Sequence, residues 1–127
     1  MDFKPAMSTA EDALERLLNS DALELGRIEK LPQSAGAYAL YRNGKLAYIG
    51  ATDNLRRRLR SLRSGSHIVT WRLRSRYGPN PGPRAYINQC LLKVLEIDIM
   101  TAKLAAQIGI SALQPKLNVE LGIFEAW

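Results

Sequence analysis

Cysteine is almost absent from this sequence. Its 127 residues include one cysteine, Cys90, so an internal disulfide cannot form and thiolates cannot assemble a metal site. The thiol lies in the apolar stretch INQCLLKVL, which favours a buried structural cysteine over a reactive one.

Long hydrophobic runs are missing as well. No apolar stretch approaches the roughly 20 residues of a membrane-spanning helix. The N-terminal segment MDFKPAMSTAEDALERL is acidic and amphipathic, whereas a signal peptide is basic and then apolar. These absences predict a soluble, cytoplasmic protein with no membrane partner. With 46% apolar and 24% charged residues, the chain has the size of one domain with one core.

Negative charge is missing from the middle third of the chain. Residues 54–95 contain ten basic residues, nine of them arginine, and no acid. The segments before and after it each carry a net charge of −2, so the whole excess of +6 comes from this block. Clustered Arg and Lys are typical of phosphate-binding surfaces, whereas solvated faces usually mix charges of both signs. The block therefore predicts a polyanion partner, with a merely solvated face as the alternative.

The helix and strand signals begin with an amphipathic helix, capped by Ser8 or Thr9 and running to about Leu25. Two alternating runs follow in AYALYRNGKLAYIG, on either side of Asn43-Gly44. Both turn positions tolerate positive φ, so this segment predicts a β-hairpin. Next, TDNLRRRLRSLRSG is typical of a helix with Thr52 or Asp53 as N-cap and Gly65 near its end.

The rest of the chain predicts three further helices and a strand. SHIVTWRLRSRYG indicates a helix begun by Ser66, although its β-branched residues leave a strand possible. RAYINQC indicates a short helix, LLKVLEIDI a β-strand, and TAKLAAQIGISAL a last helix capped by Thr101. The expected fold class is α/β, in its α+β form. A small, mostly antiparallel sheet contains the hairpin and is flanked by helices.

The arginines of the helix predicted in TDNLRRRLRSLRSG lie on different sides of that helix. Arg56, Arg60 and Arg63 form one stripe, and Arg57 and Arg58 flank it. The strand-to-helix turn is expected to bring Tyr48 beside Arg58. The residues predicted to bind nucleic acid are Arg56, Arg57, Arg60, Arg63, Arg72, Arg74 and Arg76.

Four motif elements occur in order along the chain. Gly36-Ala37-Tyr38 is followed ten residues later by Tyr48-Ile49-Gly50, ten further residues lead to Arg58, and QPKLN ends at Asn118. Over residues 33–118 this arrangement resembles the GIY-YIG nuclease domain. The resemblance implies a stand-alone endonuclease that cleaves DNA phosphodiester bonds with Mg²⁺ or Mn²⁺. It implies an N-terminal helical extension over 1–32 and a nuclease-like domain over 33–127, in a monomer or a homodimer.

The resemblance also implies roles for individual residues. Tyr38 and Tyr48 would flank the scissile phosphate, with Tyr48 the better candidate to position or deprotonate water. A phenol has a pKa of about 10, so this role needs a nearby positive charge, which Arg58 would supply together with a bidentate phosphate contact. Asn118 would tie the C-terminal segment to the site. His67 is either a phosphate or proton-transfer contact or a helix-start histidine without a chemical role.

One expected element is missing. Members of the family carry a metal-binding glutamate twelve residues before the asparagine, and that position here is Ala106. Gln107 is the nearest polar candidate, and a neutral amide holds Mg²⁺ less well than a carboxylate. The chain is therefore expected to be inactive. It is either a natural non-cleaving relative or a chain in which the glutamate was replaced, and the otherwise complete motif favours replacement.

Two alternatives to the nuclease remain. A non-catalytic nucleic-acid-binding module would use the arginine-rich block as a phosphate clamp and the tyrosines as core residues. A domain that binds an acidic protein would explain the block but not the motif spacing. The aromatic residues Trp71 and Tyr77 within the block are expected in the core, with stacking on bases as the alternative.

Overall fold

The computed structural model of the chain describes residues 4–78 and 82–124. Short connections join the helices and strands. In chain order these are α1 (Lys4–Leu18), β1 (Leu23–Glu24), a 3₁₀ helix (Leu25–Lys30), β2 (Gly36–Arg42), β3 (Lys45–Thr52), α2 (Leu55–Ser64), α3 (Ile68–Tyr77), α4 (Gly82–Asn88), β4 (Cys90–Glu96), α5 (Ile99–Leu113) and α6 (Lys116–Glu120).

The strands form one antiparallel sheet in the order β1-β4-β2-β3, so the predicted fold class is confirmed. The predicted hairpin joins β2 and β3. Its turn residues Asn43 and Gly44 have φ angles of 53° and 74°, as a two-residue hairpin turn requires. A β-bulge that the sequence did not predict lies beyond the turn, because Leu40 pairs with Tyr48 whereas Tyr41 pairs with Leu46.

The sheet separates two apolar layers. One contains Tyr38, Leu40 and Tyr48 together with buried leucines of α2, and the other contains small residues of the sheet packed on α1 and α5. The small residues are Ala37, Ala39 and Ala51 on the strands and Ala13, Ala102, Ala105 and Ala106 on the helices. Because these side chains are short, α1 and α5 pack closely on their side of the sheet.

Helix α2 follows its sequence pattern except at its first residue. Leu55, Leu59 and Leu62 are all buried, as their helical spacing predicts. The N-cap is Asn54, whose side chain accepts the Arg57 N–H, and not Thr52 or Asp53. Strand β3 extends to Thr52, which leaves Asn54 at the start of the helix.

Three other helix boundaries differ from the predictions. Helix α1 already includes Lys4 and ends at Leu18, well before Leu25, because residues 23 and 24 pair with β4. Helix α3 is capped by His67 and not Ser66, since His67 Nδ1 accepts the Val69 N–H. Helix α5 begins two residues before Thr101 because Asp98 caps it.

The predicted role of Cys90 fits its surroundings. The thiol is free and buried, and burial raises its pKa to about 11, so it stays protonated and unreactive at neutral pH. Among the helices that the structure describes, none combines the length and the apolar character needed to cross a bilayer.

Candidate active site

Three rings meet on the α2 side of the sheet. Tyr38 of β2, Tyr48 of β3 and His67 at the start of α3 are all fully buried. Their ring centroids lie 6.0 Å apart for the two tyrosines, 5.9 Å for Tyr38 and His67, and 5.7 Å for Tyr48 and His67. Residues from three separate elements therefore form one cluster, which we call the Tyr-His cluster.

Two glycines make this arrangement possible. Gly50 pairs with Tyr38 across the hairpin, and a Cβ at position 50 would lie 2.7 Å from the Tyr38 ring. A Cβ at Gly36 would lie 2.3 Å from the Leu95 carbonyl oxygen and 2.7 Å from Leu55 Cδ1, so this glycine lets both β4 and α2 approach β2. The two motif glycines therefore allow close approach of the tyrosine ring and of the arginine helix to the sheet.

A hydrogen bond fixes the orientation of His67. Its Nδ1 accepts the Val69 N–H at 3.0 Å, so the proton of the neutral ring lies on Nε2. Nε2 lies 2.7 Å from the Tyr38 hydroxyl and donates to it. This assignment leaves the hydroxyl proton of Tyr38 to point away from the histidine.

Burial keeps all three rings uncharged at neutral pH. Burial, reinforced by the positive charge of Arg58, lowers the pKa of His67 to about 3. Burial also raises the pKa of both phenols, and Arg58 opposes the rise. The pKa of Tyr48 lies well above its ordinary value, because burial and the neighbouring Tyr38 both raise it.

Arg58 joins the Tyr-His cluster to the surface. Its guanidinium lines an open pocket of about 300 Å³. The other lining residues are Ala51, Thr52, Asp53, Arg57, Ser61 and Ser66. In the described part of the chain, Arg58 Nε and the Tyr48 hydroxyl are buried without a hydrogen-bond partner. Because Arg58 lines the pocket, its unpartnered Nε marks a place where a polar ligand would be stabilised.

Sequence reasoning missed part of this pocket. Asp53 was considered only as a helix cap, and Ser61 and Ser66 were not singled out for the site. The helical spacing carries a signal for Ser61, which follows Arg58 by three residues and therefore lies on the same side of α2. Asp53 and Ser66 depend on where the two flanking loops turn, which local spacing does not specify.

Asn118 holds the C-terminal segment against β3. Its amide oxygen accepts the Ile49 N–H at 2.9 Å, and its Nδ2 donates to the carbonyls of Ile49 and Ile123 at 3.2 and 2.9 Å. The side chain is fully buried, and its amide is used in hydrogen bonds to the backbone of Ile49 and Ile123. Asn118 is thus a positioning residue in this arrangement.

Ala106 is not brought to the Tyr-His cluster. It is fully buried in the layer of small residues between α1, α5 and the opposite face of the sheet. That layer is apolar, so a carboxylate there would be surrounded by alanine and leucine side chains.

The predicted nucleic-acid-binding arginines divide into two groups on α2. Arg56 donates to the Leu31 carbonyl at 2.7 Å, Arg57 pairs with Asp53 at 2.8 Å, and Arg60 forms a bidentate pair with Glu29. The acids that pair with Arg57 and Arg60 come from outside the acid-free block. Arg63 is exposed at the end of the helix.

The arginines of α3 also have different surroundings. Arg72 donates to the carbonyls of Leu121 and Gly122, which follow α6, and Arg76 donates to the carbonyl of Glu120, the last residue of α6. Arg74 is exposed. Trp71 is 60% exposed, so its predicted place in the core is wrong, while the Tyr77 side chain lies outside the described residues.

The residues around the pocket do not fit a divalent cation. No group of three or more His, Cys, Asp or Glu side chains suited to a metal occurs in residues 4–78 and 82–124. Asp53 is the carboxylate that lines the pocket, and it is 65% exposed and paired with Arg57. One exposed, neutralised carboxylate is a poor site for Mg²⁺, which prefers carboxylate oxygens in octahedral geometry.

Comparison with known proteins supports the fold from an independent direction. Neither a protein-family model nor a curated protein matches the sequence. The structure is similar to the crystal structure of the GIY-YIG N-terminal endonuclease domain of UvrC from Thermotoga maritima, with its catalytic magnesium bound. The TM-score is 0.56 at 21% sequence identity, over 73% of this chain and 92% of that one.

The chain has the GIY-YIG nuclease fold. The fold that the motif elements predicted is therefore confirmed. The identity is low, so the likeness concerns the arrangement of the chain. Within this fold, the Tyr-His cluster and Arg58 occupy one face of the sheet and Ala106 the other.

Proposed function

We propose that this chain binds DNA through a phosphate-handling site of the GIY-YIG nuclease type, and that it lacks metal-dependent cleavage as it stands. The observation that carries the proposal is the polar pocket in which Arg58 adjoins the buried Tyr-His cluster. A guanidinium presents several donors in a planar fork that matches phosphate oxygens. The rings of the Tyr-His cluster next to Arg58 are neutral, so they provide no negative charge that would compensate the guanidinium.

The pocket provides further donors for a phosphate. The guanidinium of Arg57 and the Ser66 hydroxyl line it together with Arg58, whereas the hydroxyls of Thr52 and Ser61 already donate to backbone carbonyls. The Ser61 hydroxyl donates to the Arg58 carbonyl, which fixes the turn of helix that carries the arginine. A phosphodiester bound here would exchange its hydration for charge-assisted hydrogen bonds.

The position of Ala106 supports a chain that binds rather than cleaves. Its methyl group continues the layer formed by Ala37, Ala39, Ala102 and Ala105, so alanine suits the packing there. This continuity favours Ala106 as the chain's own packing residue over a substituted glutamate. We therefore assign no metal ligand to position 106.

A second candidate is the endonuclease reaction itself, and the Tyr38–His67 hydrogen bond favours it. A donor from His67 stabilises negative charge on the Tyr38 oxygen, and Arg58 acts in the same direction. Burial and the neighbouring Tyr38 both raise the pKa of Tyr48, which has no such donor. Tyr38 is therefore the tyrosine whose ionised form the site would stabilise.

The N-terminal extension expected from the resemblance shares a core with the rest of the chain. Residues 1–32 precede β2 and carry α1, whose Ala13, Leu14 and Leu17 are buried in the layer that α5 also lines. We propose that this N-terminal extension completes the core of the nuclease-like domain over 33–127.

The test is a binding and cleavage assay on the same labelled DNA. Wild-type protein is incubated with single-stranded, duplex and branched DNA in Mg²⁺, Mn²⁺ or a chelator, and both complex formation and strand cleavage are followed. We expect binding in all three conditions and no metal-dependent products. Metal-dependent cleavage by the wild type would favour the endonuclease, and the absence of binding at low salt would refute both candidates.

A further inference from the structure

Trp71 presents a large aromatic surface to solvent on helix α3. It is 60% exposed, although the residues around it in sequence, Val69, Thr70 and Leu73, are buried. One side of α3 is therefore buried, and the indole lies on its exposed side. Residues 54–95 contain no acid, so the chain around the indole on α2 and α3 is basic.

The exposed indole is carried by the helix that His67 caps. The backbone N–H of Trp71 donates to the backbone carbonyl of His67 at 2.9 Å. Trp71 therefore lies one helical turn beyond His67, the residue that contacts Tyr38. The four residues from His67 to Trp71 correspond to a rise of about 6 Å along the helix.

A basic side chain connects this turn to the pocket. Arg74 follows Trp71 by three residues and is exposed. Its Nη2 lies 3.5 Å from the position that a Cβ on Gly65 would take, and the neighbouring Ser66 lines the Arg58 pocket. Indole, Arg74 and pocket therefore follow one another along the junction of α2 and α3.

We infer that Trp71 is a stacking platform for an unpaired base of the nucleic acid whose backbone occupies the Arg58 pocket. The inference rests on the proposed function and narrows its substrate class. Phosphate contacts need only cations, whereas a flat aromatic surface among cations suits a ligand with alternating phosphates and bases. Within a regular duplex both faces of each base are already stacked. The preferred ligand is therefore single-stranded or locally unpaired nucleic acid.

Affinities of matched variants test the inference. Trp71→Ala, Trp71→Phe and a control, Met100→Ala, are compared with wild type on a single-stranded oligonucleotide and its duplex, as DNA and as RNA. Met100 is 67% exposed on α5, so the control removes an equally exposed apolar side chain elsewhere. Trp71→Ala should bind the single strand about 5-fold to 150-fold more weakly. Duplex affinity should stay unchanged, and Trp71→Phe should retain most of the single-strand affinity because it keeps a ring.

Fluorescence provides a direct second readout. In a Trp127→Phe background Trp71 is the sole tryptophan, and single-stranded ligand should quench its emission and shield it from iodide. Equal losses on single strand and duplex, or no loss with Trp71→Ala, would overturn the stacking role. If Arg58→Ala abolishes binding while Trp71→Ala does not, the proposed function stands and this inference fails. If wild type binds no nucleic acid, the proposed function fails first.

Discussion

His67 makes two structural hydrogen bonds, one through each nitrogen of its ring. Its Nδ1 caps α3 and its Nε2 holds the Tyr38 hydroxyl, so each nitrogen is committed in the neutral form. A protonated ring would have to donate from both nitrogens, and Nδ1 would then face the Val69 N–H. The neutral state of this histidine is therefore built into the fold.

We expect the stability of the protein to decrease in mild acid because of His67. Its pKa is about 3 in the folded protein, against an ordinary value of 6.5. As the pH falls below 6.5, the unfolded chain takes up a proton that the folded chain does not. The free energy of unfolding should then fall by up to about 1.4 kcal/mol for each pH unit.

Urea unfolding between about pH 6.5 and pH 5, where most carboxyl groups remain ionised, measures this slope. The chain contains one histidine, so the matched variant His67→Gln should have lost the slope over the same range. A slope of equal size in the variant would assign the titration to another group.

Gly50 provides a second prediction for a single residue. In Gly50→Ala the new Cβ would meet the Tyr38 ring at 2.7 Å, so the ring or the strand must shift. The expected loss of stability is about 1 to 3 kcal/mol. Gly26→Ala is the matched control, because a Cβ there has no atom within 4 Å. Equal unfolding midpoints for the two variants would contradict the close packing of Tyr38 on Gly50.

Helix α5 offers the next prediction, on a whole element. Ala106→Glu would place a carboxylate in the layer of small residues, where it finds no partner among Ala37, Ala39 and Ala51. We expect the free energy of unfolding to fall by on the order of 3 kcal/mol. We also expect that Mg²⁺ does not stabilise the variant.

Gln107→Glu adds the same charge one position later, on an exposed part of the same helix. Its stability should stay within about 0.5 kcal/mol of wild type. Thermal unfolding of both variants with and without Mg²⁺ measures the difference. A rise in Tm with Mg²⁺ for Ala106→Glu alone would show that position 106 reaches the metal site of a nuclease after all.

The elements differ in how well the sequence predicts them. Leu55, Leu59 and Leu62 specify α2 by local spacing, and Asn43-Gly44 specifies the hairpin by backbone chemistry. The caps depend on where the preceding segment ends, so Asn54, His67 and Asp98 replaced the predicted residues. The bulge at Leu40 and Tyr41 has no local signal, because it follows from how two strands pair.

The candidate site shows the same division between local and tertiary information. The spacing of Tyr38, Tyr48 and Arg58 anticipated three residues that the structure brings together. It did not reveal the neighbours that decide their chemistry. Glu29 and Asp53 neutralise arginines of α2 from outside the acid-free block, and Ala106 lies on the far side of the sheet. The Arg60–Glu29 pair and the place of Ala106 arise from packing between elements distant in sequence, whereas Asp53 and Arg57 form a local i,i+4 pair.

Across the whole molecule, the ten basic residues of 54–95 overstate the positive charge that a polyanion meets on α2, because acids outside this block pair with some of its arginines. Arg60 is already paired with Glu29, whereas Arg74 is exposed on α3 beside Trp71. We expect Arg74→Ala to reduce the salt dependence of DNA binding by about one unit of log slope, as the loss of one phosphate contact does. Arg60→Ala should reduce it less, because that charge is compensated.

Affinity measured over a series of salt concentrations, on one DNA, separates the two variants. Arg60→Ala also leaves Glu29 unpaired, so its stability is checked in parallel by urea unfolding. Equal changes in slope would show that the pairing with Glu29 does not withhold Arg60 from phosphate.

The amide of Asn118 has a consequence for how copies of the molecule meet. It satisfies both backbone groups of Ile49 on the outer strand of the sheet, as a partner strand would. The opposite margin ends in β1, which is two residues long. Edge strands that are short, or whose backbone groups are covered, give another chain less on which to pair, and such pairing is a common route to aggregation and strand exchange. At Ile49 the amide takes the place of a neighbouring strand, so another chain that paired with β3 at this point would first have to displace Asn118 and the C-terminal segment.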